Sequence, residues 1–214
     1  TKKLFHVCKM RGIPIFTFIN KMDRMGKDPF ELMEEVESVL GIRSYPVNWP
    51  IGAGRDFKGV YNRQKKQIEL FKDSNHGQSQ GNVISGDIND PKFNELLGET
   101  LHSQLLSDIE LLDMAGDELK IKKILSGELT PTFFGSALTN FGVEPFLESF
   151  LEMTTPPTPR QSSNGLIDPK TDNFTGFIFK IQANMDPTHR DRIAFLRICS
   201  GKFEKGMSVN HVQV

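Results

Sequence analysis

A polar turn, Asn20-Lys21-Met22-Asp23, follows an apolar run at residues 13–19. A carboxylate at the fourth position can accept hydrogen bonds from the N1 proton and the 2-amino group of guanine, and adenine offers neither donor in that arrangement. The aliphatic stem of Lys21 can lie over the base, and the Asn20 amide can brace the loop and reach the Hoogsteen edge. The turn therefore predicts guanine binding; the alternative is a polar surface turn after a strand.

A second turn, Gly135-Ser136-Ala137-Leu138, follows another strand-like run at residues 130–134. Small residues let the main chain approach a base closely, so a backbone N–H of this turn can bind guanine O6. The alternative is a helix-start loop capped by its own hydroxyl side chains. Because both turns follow strands of one α/β layer, we predict that Ser136, Ala137 and Leu138 complete a guanine pocket at the C-terminal edge of the sheet.

The composition is that of an ordinary globular protein. Of the 214 residues, 37% are hydrophobic and 25% are charged, and the formal net charge is −1. This balance argues against a surface that coats nucleic acid broadly, although local basic patches remain compatible with it. No apolar run approaches the ~20 residues that a membrane span needs, so no membrane partner is expected. Cys8 and Cys199 lie far apart without metal-ligand spacing, which favours reduced thiols in a cytoplasmic protein.

The first part of the chain alternates strand and helix patterns, which predicts an α/β fold. The run before the first turn is nearly all apolar, as in a parallel strand buried on both faces. Residues 73–89 are polar and predict a surface loop. Helices are predicted at 28–41, from 91 through an apolar stripe to 112, at 118–125 and at 143–153, and strands at 13–19, 47–51, 59–61, 68–71 and 130–134.

The last part of the chain is predicted to contain a linker followed by strands, without helices. Residues 158–173 are rich in Pro, Ser and Asn and predict a linker. After it the apolar period changes to two, with strands predicted at 174–181, 192–199 and 207–214, as in an antiparallel barrel that is begun but not completed. The predicted domains are residues 1–157, with an inserted α+β segment at about 55–128, the linker 158–173, and the barrel strands 174–214.

The sequence resembles the translational GTPases along nearly its whole length. The resemblance rests on "PIFTFINKMDR", "WPIGAGRDFKGVY", "LTPTFFGSALTNFGVEPFL", "PPTPR" and "FTGFIFKIQANMDPTHRDRIAFLRICSGKFEKGM". Within the family it is most similar to the factors that act in termination, because the segment 182–192 and the continuation after Gly135-Ser136-Ala137 depart from elongation factor G. It implies the C-terminal part of a P-loop-type GTPase domain, followed by the start of an antiparallel β-barrel domain.

The resemblance also implies a function. It implies GTP or GDP as the ligand, the ribosome and the class-I release factors as partners, and promotion of release-factor recycling. A small basic turn, His189, Arg190 and Arg192, is a candidate contact with ribosomal RNA phosphates; the alternative is a solvated turn whose charge is balanced by neighbouring aspartates. Two other functions stay open: another translational GTPase, such as elongation factor G or a ribosomal protection protein, and a non-catalytic interaction module.

The phosphate-handling motifs of a GTPase do not occur in this sequence. The sequence contains no G-x-x-x-x-G-K-[ST] loop, no D-x-x-G motif after such a loop and no recognisable switch segment. These would supply the phosphate cradle, the Mg²⁺ ligands and the water-positioning group. We therefore interpret the chain as an internal piece of a longer protein, expect no catalytic residue and no metal ligand within it, and expect no measurable GTPase activity from this piece alone.

Overall fold

The computed structural model describes residues 2–71, 83–115, 118–183 and 191–211. The chain divides into two compact units, residues 1–154 and 155–214. The helices are α1 (Lys2–Met10), α2 (Pro29–Leu40), α3 (Pro91–Leu97), α4 (Glu99–Ala115), α5 (Ile121–Leu125) and α6 (Val143–Met153). The strands are β1 (Thr17–Ile19), β2 (Arg43–Pro46), β3 (Asn48–Ile51), β4 (Gly59–Asn62), β5 (Gln67–Phe71), β6 (Val83–Asp87), β7 (Leu129–Phe134), β8 (Arg160–Ser162), β9 (Gly165–Ile167), β10 (Thr175–Ala183) and β11 (Arg192–Ser200).

A parallel sheet of order β1-β7-β2 forms the centre of the first unit. The helix predicted after the first turn is confirmed as α2: the Asp28 carboxylate accepts a hydrogen bond from the Phe30 amide, and Gly41 ends the helix in a left-handed conformation. The strand predicted at residues 13–19, before the first turn, is shorter and less buried than expected. Strand β1 covers three residues, all half-buried, because among the described strands it pairs with β7 alone.

A second sheet, antiparallel with order β3-β4-β5-β6, packs beside the parallel one. The predicted strand and hairpin are confirmed, in the register Trp49↔Tyr61↔Ile68. The Trp49 indole donates to the Asp108 carboxylate over 2.9 Å, which ties this sheet to α4. The sheet begins at residue 48, ahead of the insertion start expected at about 55.

Two further predictions for this region need correction. The helix predicted from residue 91 to 112 is two helices, because Gly98 has φ 80° and separates α3 from α4. Part of the predicted polar loop 73–89 is strand β6, whose residues are alternately exposed and half-buried; its polar composition hid the pattern because one face meets solvent. Residues 72–82 lie outside the described part of the chain.

The second unit contains two hairpins. Strands β10 and β11 pair antiparallel and confirm two of the predicted strands. Residues 160–167, expected in a linker, form the hairpin β8–β9, whose turn is closed by Ser162 Oγ donating to the Gly165 carbonyl over 2.8 Å. The third predicted strand is wrong over residues 207–211, which are irregular since no described strand pairs with them; residues 212–214 are not described. The barrel stays a prediction.

A buried carboxylate lies in the antiparallel sheet. Glu69 on β5 is 6% exposed; its Oε1 accepts from the Asn62 amide over 3.1 Å, while Oε2 has no hydrogen-bond partner within the described part of the chain. Burial raises the pKa of Glu69, and the nearby Glu148 adds to this, whereas Asn62 and Lys65 oppose it. The ionised form of Glu69 is therefore costly to the fold at neutral pH.

Replacing Glu69 by Gln should stabilise the chain at pH 7 by about 1 kcal/mol, because a neutral amide carries a smaller desolvation cost. Because the pKa of Glu69 is raised in the folded state, the stability that its protonated form contributes is complete below the unfolded-state pKa. This stability is lost as the pH rises through the folded-state pKa. The advantage of the variant should therefore narrow as the pH falls from the raised folded-state pKa of Glu69 towards 4.5, the ordinary pKa of this group, and should be smallest below that value.

Urea unfolding of both proteins between pH 4 and pH 8 measures this difference. The exposed Glu95 on α3 offers the matched control, Glu95→Gln, for which no gain in the free energy of unfolding is expected. A Glu69→Gln variant that is equally or less stable than the wild type at pH 7 would contradict the assigned cost.

Candidate functional site

The two predicted turns start side by side at the C-terminal ends of β1 and β7. Ile19 and Phe134 are register partners at the ends of these parallel strands. The Gly135 amide donates to the Ile19 carbonyl and the Met22 amide donates to the Gly135 carbonyl, each over 3.1 Å. The backbone ladder of the sheet therefore continues one step into both turns.

The Asn20 side chain joins the two turns. Its Oδ1 accepts from the Lys21 amide over 2.7 Å and from the Ala137 amide over 2.9 Å. Lys21 has φ 70°, a left-handed conformation that is costly for a residue with a Cβ, and the Asn20 oxygen holds it there. The Nδ2 group of Asn20 has no hydrogen-bond acceptor within the described part of the chain.

A second contact between the turns fixes the carboxylate of Asp23. Ser136 is completely buried, and its hydroxyl donates to Asp23 Oδ1 over 2.5 Å. This is the short distance of a charge-assisted hydrogen bond. Asp23 is half-buried, and its Oδ2 accepts no hydrogen bond from any described residue. One carboxylate oxygen is thus anchored while the other remains available to a ligand.

The loop after Ser136 is closed by its own backbone. Ser136 and Phe141 exchange two hydrogen bonds of 2.9 Å, and the Thr139 amide donates to Ser136 Oγ over 3.4 Å. A Cβ placed on Gly135 would lie 2.5 Å from the Phe141 carbonyl oxygen, so only glycine fits at this position. Leu138 is 70% exposed at the tip of the loop.

The Ala137 amide is occupied within the protein. It donates to Asn20, so it is not an open donor in this arrangement. The next amide of the loop, that of Leu138, has no acceptor among the described residues. The structure therefore brings together Asn20, Asp23 and Ser136 by direct contacts, and it leaves Lys21 and Leu138 exposed at the rim.

Several residues hold the turns in place; sequence reasoning named Met22 only as part of the first turn, and it missed Gly54 and Asn48. Met22 is 5% exposed, and its carbonyl accepts from the Gly54 amide over 2.8 Å. Asn48 is 3% exposed and exchanges two hydrogen bonds with the Phe134 backbone, of 3.1 and 2.7 Å. A lone amide side chain among apolar neighbours, and two glycines close together at residues 52 and 54, were the available signals.

The candidate RNA-contacting residues fall in the second unit. Arg192 is exposed at the start of β11, whereas His189 and Arg190 lie outside the described residues. Within the described ranges, no three His, Cys, Asp or Glu side chains are grouped so that they could hold a metal ion. In the same ranges, every helix is too short or too polar to cross a membrane.

Comparison with known proteins supplies the family context of this geometry. The profile of the family described as "Elongation factor Tu GTP binding domain" matches residues 1–156, and that of "Elongation factor G domain 2" matches residues 173–214. Relatives named "Peptide chain release factor 3" are 56% identical in Symbiobacterium thermophilum, 55% identical in Trichodesmium erythraeum and 54% identical in Nostoc punctiforme.

These relatives match the whole of the chain but only part of themselves. Each alignment covers 100% of this chain and 40%, 39% and 40% of the three relatives, respectively. The chain therefore spans about two fifths of the length of the curated relatives it matches. The resemblance to the termination branch of the translational GTPases, expected from the sequence, is confirmed.

Replacing Asn20 by Ala removes the oxygen that holds the Lys21 and Ala137 amides. We expect the free energy of unfolding to fall by about 1–2 kcal/mol. The Ala137 amide should exchange its hydrogen faster than in the wild type, because its acceptor is lost. Urea unfolding and amide hydrogen exchange measure the two effects. Asn94→Ala, at an exposed site on α3, should leave the exchange at Ala137 unchanged and should not lower the free energy of unfolding. Unchanged exchange at Ala137 in the Asn20→Ala variant would contradict the bridge.

Proposed function

The chain belongs to the elongation factor Tu GTP binding domain family, and we propose that it is the base-reading part of a ribosome-dependent GTPase that acts in translation termination. The family assignment rests on residues 1–156. The observation that carries the proposal for the site is the pair of contacts between the two turns, Asn20 to Ala137 and Ser136 to Asp23. Two turns joined in this way can present one planar polar surface to a base.

The donors and acceptors left open by the protein suit guanine. Asp23 offers an acceptor oxygen for the N1 proton and the 2-amino group. The Leu138 amide offers a donor for O6, and the Nδ2 group of Asn20 offers donors for the Hoogsteen edge. The exposed stem of Lys21 can cover one face of the base. Adenine would leave the Asp23 charge facing an acceptor, which costs more than the loss of one hydrogen bond.

The biological role is proposed from the relatives. They carry the name of a release factor rather than of elongation factor G, which favours termination over the other translational GTPases. We propose that the whole protein hydrolyses GTP with Mg²⁺ on the ribosome in the cytoplasm and promotes recycling of class-I release factors. A non-catalytic module is disfavoured because the guanine-facing groups are positioned rather than scattered.

Two further parts of the proposal rest on the sequence and on the family match. The inactivity of the chain by itself in GTP hydrolysis stays a prediction from the motifs that its sequence lacks. Contact of His189, Arg190 and Arg192 with ribosomal RNA phosphates also stays a prediction, supported by the match of residues 173–214 to the second domain of elongation factor G.

Asp23→Asn in the full-length protein that carries this sequence should change the base preference from guanine to xanthine. The Ser136 hydroxyl can keep the carboxamide oxygen, so that the nitrogen takes the place that faces the base. That nitrogen opposes the guanine donors but can donate to the 2-oxo group of xanthine. We expect the affinity for GDP to fall on the order of 100-fold and that for xanthosine diphosphate to rise.

Equilibrium binding of both nucleotides measures the exchange. Asp172→Asn, at an exposed position of the second unit, is the matched control and should leave the guanine preference intact. A variant at Asp23 that still prefers GDP would contradict the assignment of this carboxylate.

A further inference from the structure

Met22, the residue before Asp23, makes a backbone hydrogen bond through each of its two peptide groups. The Met22 amide donates to Gly135, and the Met22 carbonyl accepts from the Gly54 amide over 2.8 Å. Because a peptide bond is planar, the Met22 carbonyl and the Asp23 N–H lie in one rigid plane. The bond from Gly54 therefore sets the orientation of the backbone that carries the Asp23 side chain. The buried Met22 side chain restricts the same plane from the core side.

Gly54 also lies close to Met25, two residues after Asp23. A Cβ on Gly54 would lie 2.6 Å from Met25 Sδ, 3.0 Å from Met25 Cγ and 3.3 Å from the Met25 amide nitrogen. Its φ is 63°, so its backbone conformation favours glycine, and a Cβ there would displace the Met25 side chain and crowd the Met25 amide nitrogen. Gly54 therefore contacts the chain on both sides of Asp23, at Met22 through a hydrogen bond and at Met25 through close packing.

Gly54 belongs to a different structural layer from the turn it supports. It starts the 3₁₀ turn Gly54–Asp56, which leads from β3 into β4 of the antiparallel sheet. The sheet supports the second turn as well: Phe141 packs on Phe57 with ring centroids 6.2 Å apart and stacks on Phe71 at 4.8 Å. A displacement of the antiparallel sheet would therefore reach both turns of the candidate site.

We propose that Gly54 is a positioning residue through which the antiparallel sheet β3–β6 sets the guanine selectivity of Asp23. The inference rests on the proposed function, since it concerns how the same carboxylate meets the base. The antiparallel sheet then holds the turn that carries Asp23 in place, so that a displacement of this sheet changes which purine the protein prefers. The readout is selectivity rather than affinity alone, because Asp23 discriminates through the 2-amino group.

The test compares GDP with inosine diphosphate, which lacks the 2-amino group. The wild-type full-length protein should prefer GDP on the order of tenfold or more, since a hydrogen bond to a charged acceptor is lost with inosine. Gly54→Ala places a methyl group against Met25 and should lower this preference about fivefold. A purely structural defect would weaken both nucleotides together and leave the ratio unchanged.

Two further variants separate contact from backbone strain. Gly41→Ala imposes the same left-handed strain at φ 65°, but its Cβ would meet no atom within 4 Å, so the ratio should stay at the wild-type value. Met25→Ala in the Gly54→Ala background removes two of the three crowding atoms and should restore most of the preference. Met25 is 83% exposed, so its substitution alone should change little.

The outcomes distinguish the two proposals. A wild-type protein without preference for GDP over inosine diphosphate overturns the proposed guanine function. A wild-type preference that Gly54→Ala leaves unchanged, in a variant whose thermal unfolding is cooperative, overturns the positioning role alone. Should Gly54→Ala fail to fold, Phe57→Leu takes its place. That variant keeps the glycine and loosens the packing against Phe141, and an unchanged ratio there also counts against the proposal.

Discussion

The contact on which the site depends is the one oxygen of Asn20 that accepts from two separate turns. Without it, the Ala137 amide would lack its acceptor, and Lys21 would lose the bond that holds its left-handed backbone. Its effect depends on the sheet beneath, because Ile19 and Phe134 end level with one another in parallel register. Because the strand ends are level, the Asn20 oxygen can hold the two turns side by side. The Ser136–Asp23 hydrogen bond then adds a second contact between the same two turns.

The same alignment needs a second support on the other side of β7. Strand β2 ends at Pro46, two residues before the end of β7, so the outer edge of Phe134 would be left without backbone partners. The Asn48 amide fills this gap by donating to the Phe134 carbonyl and accepting from its amide, as a neighbouring strand would. Because Asn48 is also the first residue of β3, the two sheets meet at the residue before Gly135. A buried amide with both bonds made is stable, and with either one broken it would be costly.

Much of this could be predicted from the sequence, and the exceptions have physical causes. Residues 20–23 and 135–138 were found because motif chemistry is local, and helix α2 was found because Asp28, Pro29 and Gly41 act within one turn of it. The supports of the site were missed because they act over long sequence distances: the partners of Asn48 lie 86 residues away. Strand β6 and the hairpin β8–β9 were missed because polar or linker-like composition conceals a strand whose stability comes from its partner.

The backbone conformations show where this fold accepts local cost. Among the described residues, the non-glycine positions with positive φ are Lys21, Lys66 and Asn140. Lys66 lies in the tight connection between β4 and β5, where the hairpin demands such a shape. Asn140 likewise ends the four-residue loop between Ser136 and Phe141, which pair antiparallel. Lys21 lies in the first turn of the candidate site, where no hairpin requires this conformation. The strain at Lys21 must therefore be held by a surrounding contact, here by the Asn20 side-chain oxygen. The turns are therefore shaped by the contacts between them more than by their own preferences, as a preorganised binding surface requires.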